Sequence, residues 1–420
     1  MEYQLRFIII GIIILGFIWG LWLDYLTNKG WIKPVPPLVK PFYTDIKYSE
    51  ARDYHRASEK LGLIKGVLSL LIILFLIGFG GFNYIDLWVR SITENYLWMP
   101  LLFFGVLFFA SDILSLPFSL YATFNIEEKF GFNKTTPKTF ILDMIKGWLL
   151  AIIIGGGLLL LIVFIYHKTQ DYFWILAWAL ISVFSLFMAL FYTKLLLPLF
   201  NKLTPLEGEL KDAIDDLAQK ADFNLENIFV MDGSKRSTKA NAFFSGLGKQ
   251  KSIILYDTLI EQNTTEELLA VLAHEIGHYK LKHIPQSLFL GLAQSFLTFF
   301  LLGIFLKYPI FSHAISVENP SFHASLITFA LLYSPVEMIL GLLNNLLSRK
   351  NEYQADDFAA NFELGNALST ALIKMSAHHL SNLYPNKWDI FFNYSHPTLL
   401  QRINNLNYKK STHESVSTTP

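Results

Sequence analysis

TTEELLAVLAHEIGHYKLKHIPQSLFLGLAQSFLTFFLLGIFL, residues 264–306, decides how this chain is built, because it runs a motif-bearing helix straight into a hydrophobic segment. Thr264-x-x-Glu267 is a capping box that opens the helix. The helix is predicted to continue through Leu268, Leu269, Val271, Leu272 and His274 to about His283, where Pro285 interrupts it and an apolar run begins. Within it, His274-Glu275-Ile276-Gly277-His278 places two imidazoles four residues apart and therefore on one helix face. Such a pair can bind one Zn²⁺, and the carboxylate beside the first can take a proton from metal-bound water. A solvated helix with incidental histidines is the competing reading, and only the surrounding sequence separates the two.

That surrounding sequence is a membrane protein's. Hydrophobic residues make up 53% of the 420 and charged residues 16%, with a mean hydropathy of +0.39, well to the apolar side of soluble domains. Runs approaching the ~20 residues that cross a bilayer fall near 5–23, 61–82, 97–120, 147–166, 172–197, 286–306 and 324–347, giving seven predicted spans. The first is too long for a signal-peptide core, and no small-residue cleavage site follows Trp22-Leu23-Asp24, so it reads as a retained anchor. Asp112 and Pro117 in the third predict a kink and a polar group turned to the protein interior or to water. Zero net charge gives no reason to expect nucleic acid. The absence of cysteine excludes disulfides and thiolate metal ligands, so any metal must be held by His, Asp or Glu.

Orientation follows from Lys and Arg, which favour the cytoplasmic side. Segments 24–60, 121–146, 198–285 and 348–420 share one face and carry 28 of the 34 basic residues, whereas the other face has only Arg6, Arg90, Lys168 and Lys307. The N-terminus is therefore expected outside and the large segments in the cytosol, with the motif at the cytosolic mouth of the sixth span. The chain divides accordingly into a five-span membrane region (1–197), a metallopeptidase insertion (198–285), spans six and seven (286–347), a C-terminal catalytic segment (348–408) and a disordered tail (409–420). The insertion reads as a small α/β unit, with a helix over 210–221 and strands at 228–231 and 252–256 around the turn-rich 232–239.

Two histidines leave zinc one protein ligand short of a catalytic set. Directly after the seventh span comes Asn351-Glu352-Tyr353-Gln354-Ala355-Asp356, where Glu352 and Asp356 share a helix face. One can bind metal while the other orients a ligand. A charged cap at a span end would look the same, but two motifs at adjoining ends of spans six and seven meet if those helices pack together. A third segment, Ser395-His396-Pro397-Thr398-x-x-x-Arg402, offers donors suited to an oxyanion, although His-Pro steps also mark ordinary turns.

Together these segments resemble the type I CAAX prenyl endopeptidases, integral-membrane zinc proteases, and Asn241-Ala242-Phe243 fits as well. The resemblance covers essentially the whole chain. It implies a mostly α, polytopic protein whose roughly seven transmembrane helices enclose a large water-filled chamber beside a small cytosolic α/β zinc-peptidase region. It further implies one Zn²⁺ per chain bound by His274, His278 and Glu352, with Glu275 as general base and Asp356 as an orienting residue or proton donor. His396 and Arg402 would support the transition state. Asn241, Ala242 and Phe243 would lie on an edge strand that pairs with an extended substrate, a mode in which main-chain hydrogen bonds give affinity.

The expected partners are the bilayer and a peptide or protein substrate, lipid-modified if it is a CAAX protein, with the enzyme a monomer. Ser417-Thr418-Thr419-Pro420 carries no retrieval signal, so a bacterial inner membrane is favoured, or the endoplasmic reticulum in a eukaryote. Two other readings compete: a membrane-protein quality-control protease using the same zinc chemistry, and a seven-span receptor or transporter with structural zinc. The last conflicts with the missing cysteines and with motifs at span ends instead of the bilayer midplane.

Overall fold

The computed structural model describes residues 1–223, 225, 227–246 and 252–407, so the tail expected at 409–420 lies outside the described residues. The membrane part begins with α1 (Glu2–Asn28), α2 (Asp45–Gly78), α3 (Gly81–Ile92) and α4 (Trp98–Tyr121), followed by α5 (Pro137–Leu150), α6 (Gly157–Thr169) and α7 (Phe173–Leu195). Local chemistry starts these helices. Thr44 and Thr136 accept backbone N–H groups as N-caps of α2 and α5, and Pro137 occupies a first-turn position of α5 where its missing N–H costs nothing. The second span ends at Gly78, four residues before the boundary expected from hydropathy, and Gly80, with φ of 70°, turns the chain into α3. Asp112 accepts a hydrogen bond of 2.8 Å from Trp148 Nε1, so a neighbouring helix satisfies the polar group in the third span.

Short α8 (Leu197–Phe200) leads into the polar insertion, which holds β1 (Leu203–Pro205), α9 (Glu209–Lys220), β2 (Asn227–Met231), β3 (Ala242–Ser245), β4 (Ser252–Tyr256), α10 (Asp257–Gln262) and α11 (Thr265–Lys280). The four strands form one sheet in the order β1-β2-β4-β3, with β2 and β4 parallel and the outer pairs antiparallel. After it come α12 (His283–Phe305), α13 (Ile310–Ala314), α14 (Phe322–Ala360), α15 (Gly365–His378), α16 (Lys387–Asn393) and a last helix over 399–407.

Among the described residues, six helical segments are long and apolar enough to cross a membrane. One of them, Pro137–Phe200, reverses at Gln170, where φ is 43°, and its limbs α6 and α7 pack together, so seven limbs result. Neighbour packs on neighbour in the sequence α1, α2, α4, α6, α7, α12, α14 and back to α1, which closes a ring. Only 6–11% of each span's apolar window is buried. At one end Phe82, Phe103, Ile315, Val317 and Ala324 form a plug, pinned by His323 Nε2 at 2.6 Å from the fully buried Asp86.

The opposite end is capped by the peptidase region. Its core joins Ile214, Ile253, Leu255, Leu268, Leu272 and Ile276 to Ala359, Leu368, Ala371 and Leu406, so the insertion and the C-terminal segment share one hydrophobic core. α11 lies in the middle of that core. Its capping box is present as read, with Thr264 and Glu267 exchanging hydrogen bonds, and Lys374 of α15 adds an ion pair of 2.7 Å to Glu267. α11 ends at Lys280, three residues before the expected limit. Lys282 adopts a left-handed conformation with φ of 62°, and α12 starts afresh at His283 with Pro285 in its first turn, where proline is tolerated.

Candidate active site

Three elements build the site. α11 projects His274, Glu275 and His278. α14, a single 39-residue helix, carries the seventh span and then Asn351, Glu352 and Asp356 without a break. The segment 395–402 folds over both and supplies His396 and Arg402. α11 and α14 approach closely at Gly277, where a Cβ would stand 2.9 Å from Phe358 Cβ and 3.2 Å from Ala355 Cα. Any larger residue there would force the helices apart and separate the histidines from Glu352.

At the crossing, His274 Nε2 lies 3.2 Å from His278 Nε2, and Glu352 lies 3.2 Å from His278 and 3.5 Å from His274. One donor atom from each residue fits within 4.8 Å of the others. A tetrahedral ion with bonds of about 2.0 Å needs ligand atoms roughly 3.3 Å apart. Glu352 Oε2 is buried with no hydrogen bond, its nearest cationic groups being the longer contacts of Arg402 at 3.4 Å and His274 Nε2 at 3.5 Å, and a buried carboxylate oxygen in that state favours a bound cation. The donor set, spacing and orphaned oxygen therefore suit a divalent metal.

The outer partners differ between the two histidines. His274 Nδ1 faces Asp356 Oδ1 at 2.9 Å, and Asp356, fully buried, is gripped by Arg402 through Nε at 2.9 Å and a terminal nitrogen at 2.5 Å. Burial and the Arg402 charge press the His274 imidazole towards neutrality, yet its hydrogen bonds to Asp356 and Glu352 hold it up at about 9 in the metal-free protein. His278 Nδ1 lies 3.0 Å from His283 Nδ1, whose other nitrogen is 3.1 Å from Gln354 Oε1. Sequence reasoning missed His283 because i+5 is off-face on the continuous helix it assumed. The turn at Lys282 brings the ring back.

Glu275 faces a cavity of about 770 Å³ that is also lined by His278, Phe243, Phe244, Leu288, Asn344 and Ser348. Burial pushes its carboxyl up from the usual range, and no hydrogen bond ties it to another described side chain. β3 forms one edge of the sheet and presents Phe243 and Phe244 to the same cavity. Asn241 immediately precedes it, with its own Oδ1 accepting from the Ala242 N–H at 2.9 Å. His396 Nε2 stands 3.4 Å from Glu352 on an exposed loop. Arg402, by contrast, sits behind the candidate ligands, 3.4 Å from Glu352 and clasped to Asp356.

The same arrangement has counterparts. A family model described as CAAX prenyl protease N-terminal, five membrane helices, matches residues 25–202, and one described as peptidase family M48 matches residues 205–410. CAAX prenyl protease 1 of Saccharomyces cerevisiae is 35% identical over 419 residues, covering 92% of each chain. The CAAX prenyl protease 1 homolog of Homo sapiens is 32% identical, covering 90% of this chain and 89% of its own. The crystal structure of S. mikatae Ste24p superposes with a TM-score of 0.89 at 34% identity, over 96% of this chain and 98% of that one.

Proposed function

The chain belongs to peptidase family M48, with the N-terminal membrane region of the CAAX prenyl proteases, and from that premise we propose that it cleaves prenylated CAAX-type peptides near their C-termini at a single zinc site. It is a multi-pass integral membrane metalloprotease. The observation that carries the proposal is the convergence of His274 and His278, on α11 just ahead of the sixth span, with Glu352, on the helix that carries the seventh. A site built on span ends meets substrates confined to the membrane surface, and a lipid anchor raises their local concentration there.

His274, His278 and Glu352 would hold the metal, which supplies Lewis acidity towards a water and the scissile carbonyl. Glu275, free of other partners and with its carboxyl raised by burial, takes the proton from that water and returns it to the leaving amine. Asp356 orients His274 and, clamped by Arg402, stays out of the proton path. His396, exposed at the rim, donates to the developing oxyanion. The free edge of β3 aligns the peptide beside Glu275. The basic segments around the site favour the cytosolic face, and the enzyme is proposed to act as a monomer.

Mass-spectrometric mapping of a farnesylated CAAX peptide against its unprenylated twin tests the substrate assignment. Preferential cleavage of the prenylated peptide next to its modified cysteine supports it. Equal cleavage of both favours turnover of membrane proteins in a host such as a bacterial inner membrane, and defeats the CAAX reading.

A further inference from the structure

We propose that His283 and Gln354 are positioning residues for the metal centre: a neutral His283 imidazole accepts the Nδ1 proton of His278 and hands its own Nε2 proton to Gln354, fixing His278 as a ligand. The inference rests on the reading of His278 as a metal ligand through Nε2. That nitrogen faces His274 and Glu352 at 3.2 Å each, so its lone pair points at the metal position and its proton must sit on Nδ1. The atom facing Nδ1 at 3.0 Å is His283 Nδ1, which therefore has to be an acceptor. A neutral imidazole with an accepting Nδ1 carries its proton on Nε2, and Gln354 Oε1, which only accepts, lies 3.1 Å from that atom. One tautomer at each ring satisfies every contact.

The fold provides for this relay. The left-handed Lys282 breaks the path from α11 to α12, so that His283, on the first turn of α12, folds back against His278. His283 is buried, 5% exposed, and its ring packs edge-on to His278 with centroids 5.1 Å apart. Gln354 arrives from α14, two residues after Glu352. The relay thus ties the start of the sixth span to the helix that brings the third ligand, and cross-links the two halves of the site.

The two ligand histidines consequently have unlike supports. His274 is held by a carboxylate whose charge Arg402 offsets. His278 is held by a neutral ring, which fixes its orientation without adding a second negative charge beside the metal. Outer partners of ligand histidines typically govern affinity about 10–100-fold.

The test is metal affinity, measured by chelator competition on the full-length protein in detergent, with the visible spectrum of the Co²⁺-loaded form as a second readout. His283→Leu should weaken metal binding about 10–100-fold. His283→Asn, whose Oδ1 can stand where Nδ1 stood, should recover to within about threefold, since the acceptor for His278 is restored. Gln354→Leu should weaken binding in the parent protein but add nothing in the His283→Asn background, where no Nε2 remains for it to bind. Interacting sites depart from additivity in this way. A His283→Leu protein with parental affinity, or a His283→Asn protein no better than His283→Leu, overturns the relay while leaving the metal site standing. A parent protein that holds no stoichiometric metal overturns the ligand assignment itself.

Discussion

Replacing Gly277 by alanine adds one methyl group at the point where α11 crosses α14. The new Cβ would meet Phe358 Cβ at 2.9 Å, Phe358 Cγ at 3.1 Å and Ala355 Cα at 3.2 Å, against an optimum of about 3.5–4.0 Å between carbons. The two nearest fixed points are a Cβ and a Cα, so no side-chain rotation relieves the contact. The helices must separate by roughly 0.5–1 Å. The Glu352 to histidine distances of 3.2 and 3.5 Å stretch with them, whereas metal–ligand bonds tolerate only about ±0.2 Å. Overpacking of this kind costs about 1–3 kcal/mol; where the helices relax apart to relieve it, the metal-bound state must draw them together again, and that cost lowers affinity on the order of 5–150-fold. Alanine's better helix propensity, worth about 1 kcal/mol, acts on the metal-free and metal-bound protein alike and so cancels from the affinity. Chelator titration with parallel thermal melts of the metal-free form checks this. A Gly277→Ala protein whose metal affinity stays within twofold of the parent would refute the claim that close helix approach sets the ligand spacing.

Other expectations follow from particular contacts. Glu352→Ala and His274→Ala should each lose bound metal together with activity, and stoichiometric zinc in purified Glu352→Ala would remove that carboxylate from the ligand set. Arg402→Met leaves the fully buried Asp356 without its cation, which should cost about 3–5 kcal/mol; a thermal melt within 2 °C of the parent would contradict this. His379 accepts the Ala240 N–H at 3.0 Å just ahead of the edge strand, and burial, with the nearby His378 and Lys239 charges, depresses its pKa from 6.5 to about 4. Protonation is disfavoured in the folded state, so this stabilisation is complete above 6.5 and fades as pH falls through about 4. Its ceiling is about 3 kcal/mol. Melting curves across pH 7 to 4 should lose part of their acid sensitivity in His379→Gln, and an unchanged slope would count against it.

Much of this architecture is legible in the sequence because long apolar runs and a four-residue ligand spacing are local patterns. Hydropathy located the limbs of the ring, and the basic residues sorted their connections to one face. Glu352 is legible as a candidate from its place at the end of the seventh span, since the span and that carboxylate occupy one helix. What escaped depends on departures from regular helix. His283 sits at a spacing that periodicity discards, and only the left-handed turn at Lys282 makes it a neighbour of His278. Gly277 reads as a mild helix breaker until α14 is seen beside it. β1 is too short, at three residues, for alternation to register, and β3, at four, was expected only through the family resemblance. The shared core of the insertion and the C-terminal segment is a long-range contact with no local signature.

The central claim is that His274, His278 and Glu352 hold a metal on which Glu275 acts as the base. Glu275→Gln separates these roles most directly, because the side chain keeps its size and loses its capacity to accept a proton. Zinc content and peptide cleavage measured on the same purified sample should show one zinc per chain with cleavage abolished. Full turnover by the metal-replete variant would contradict the account.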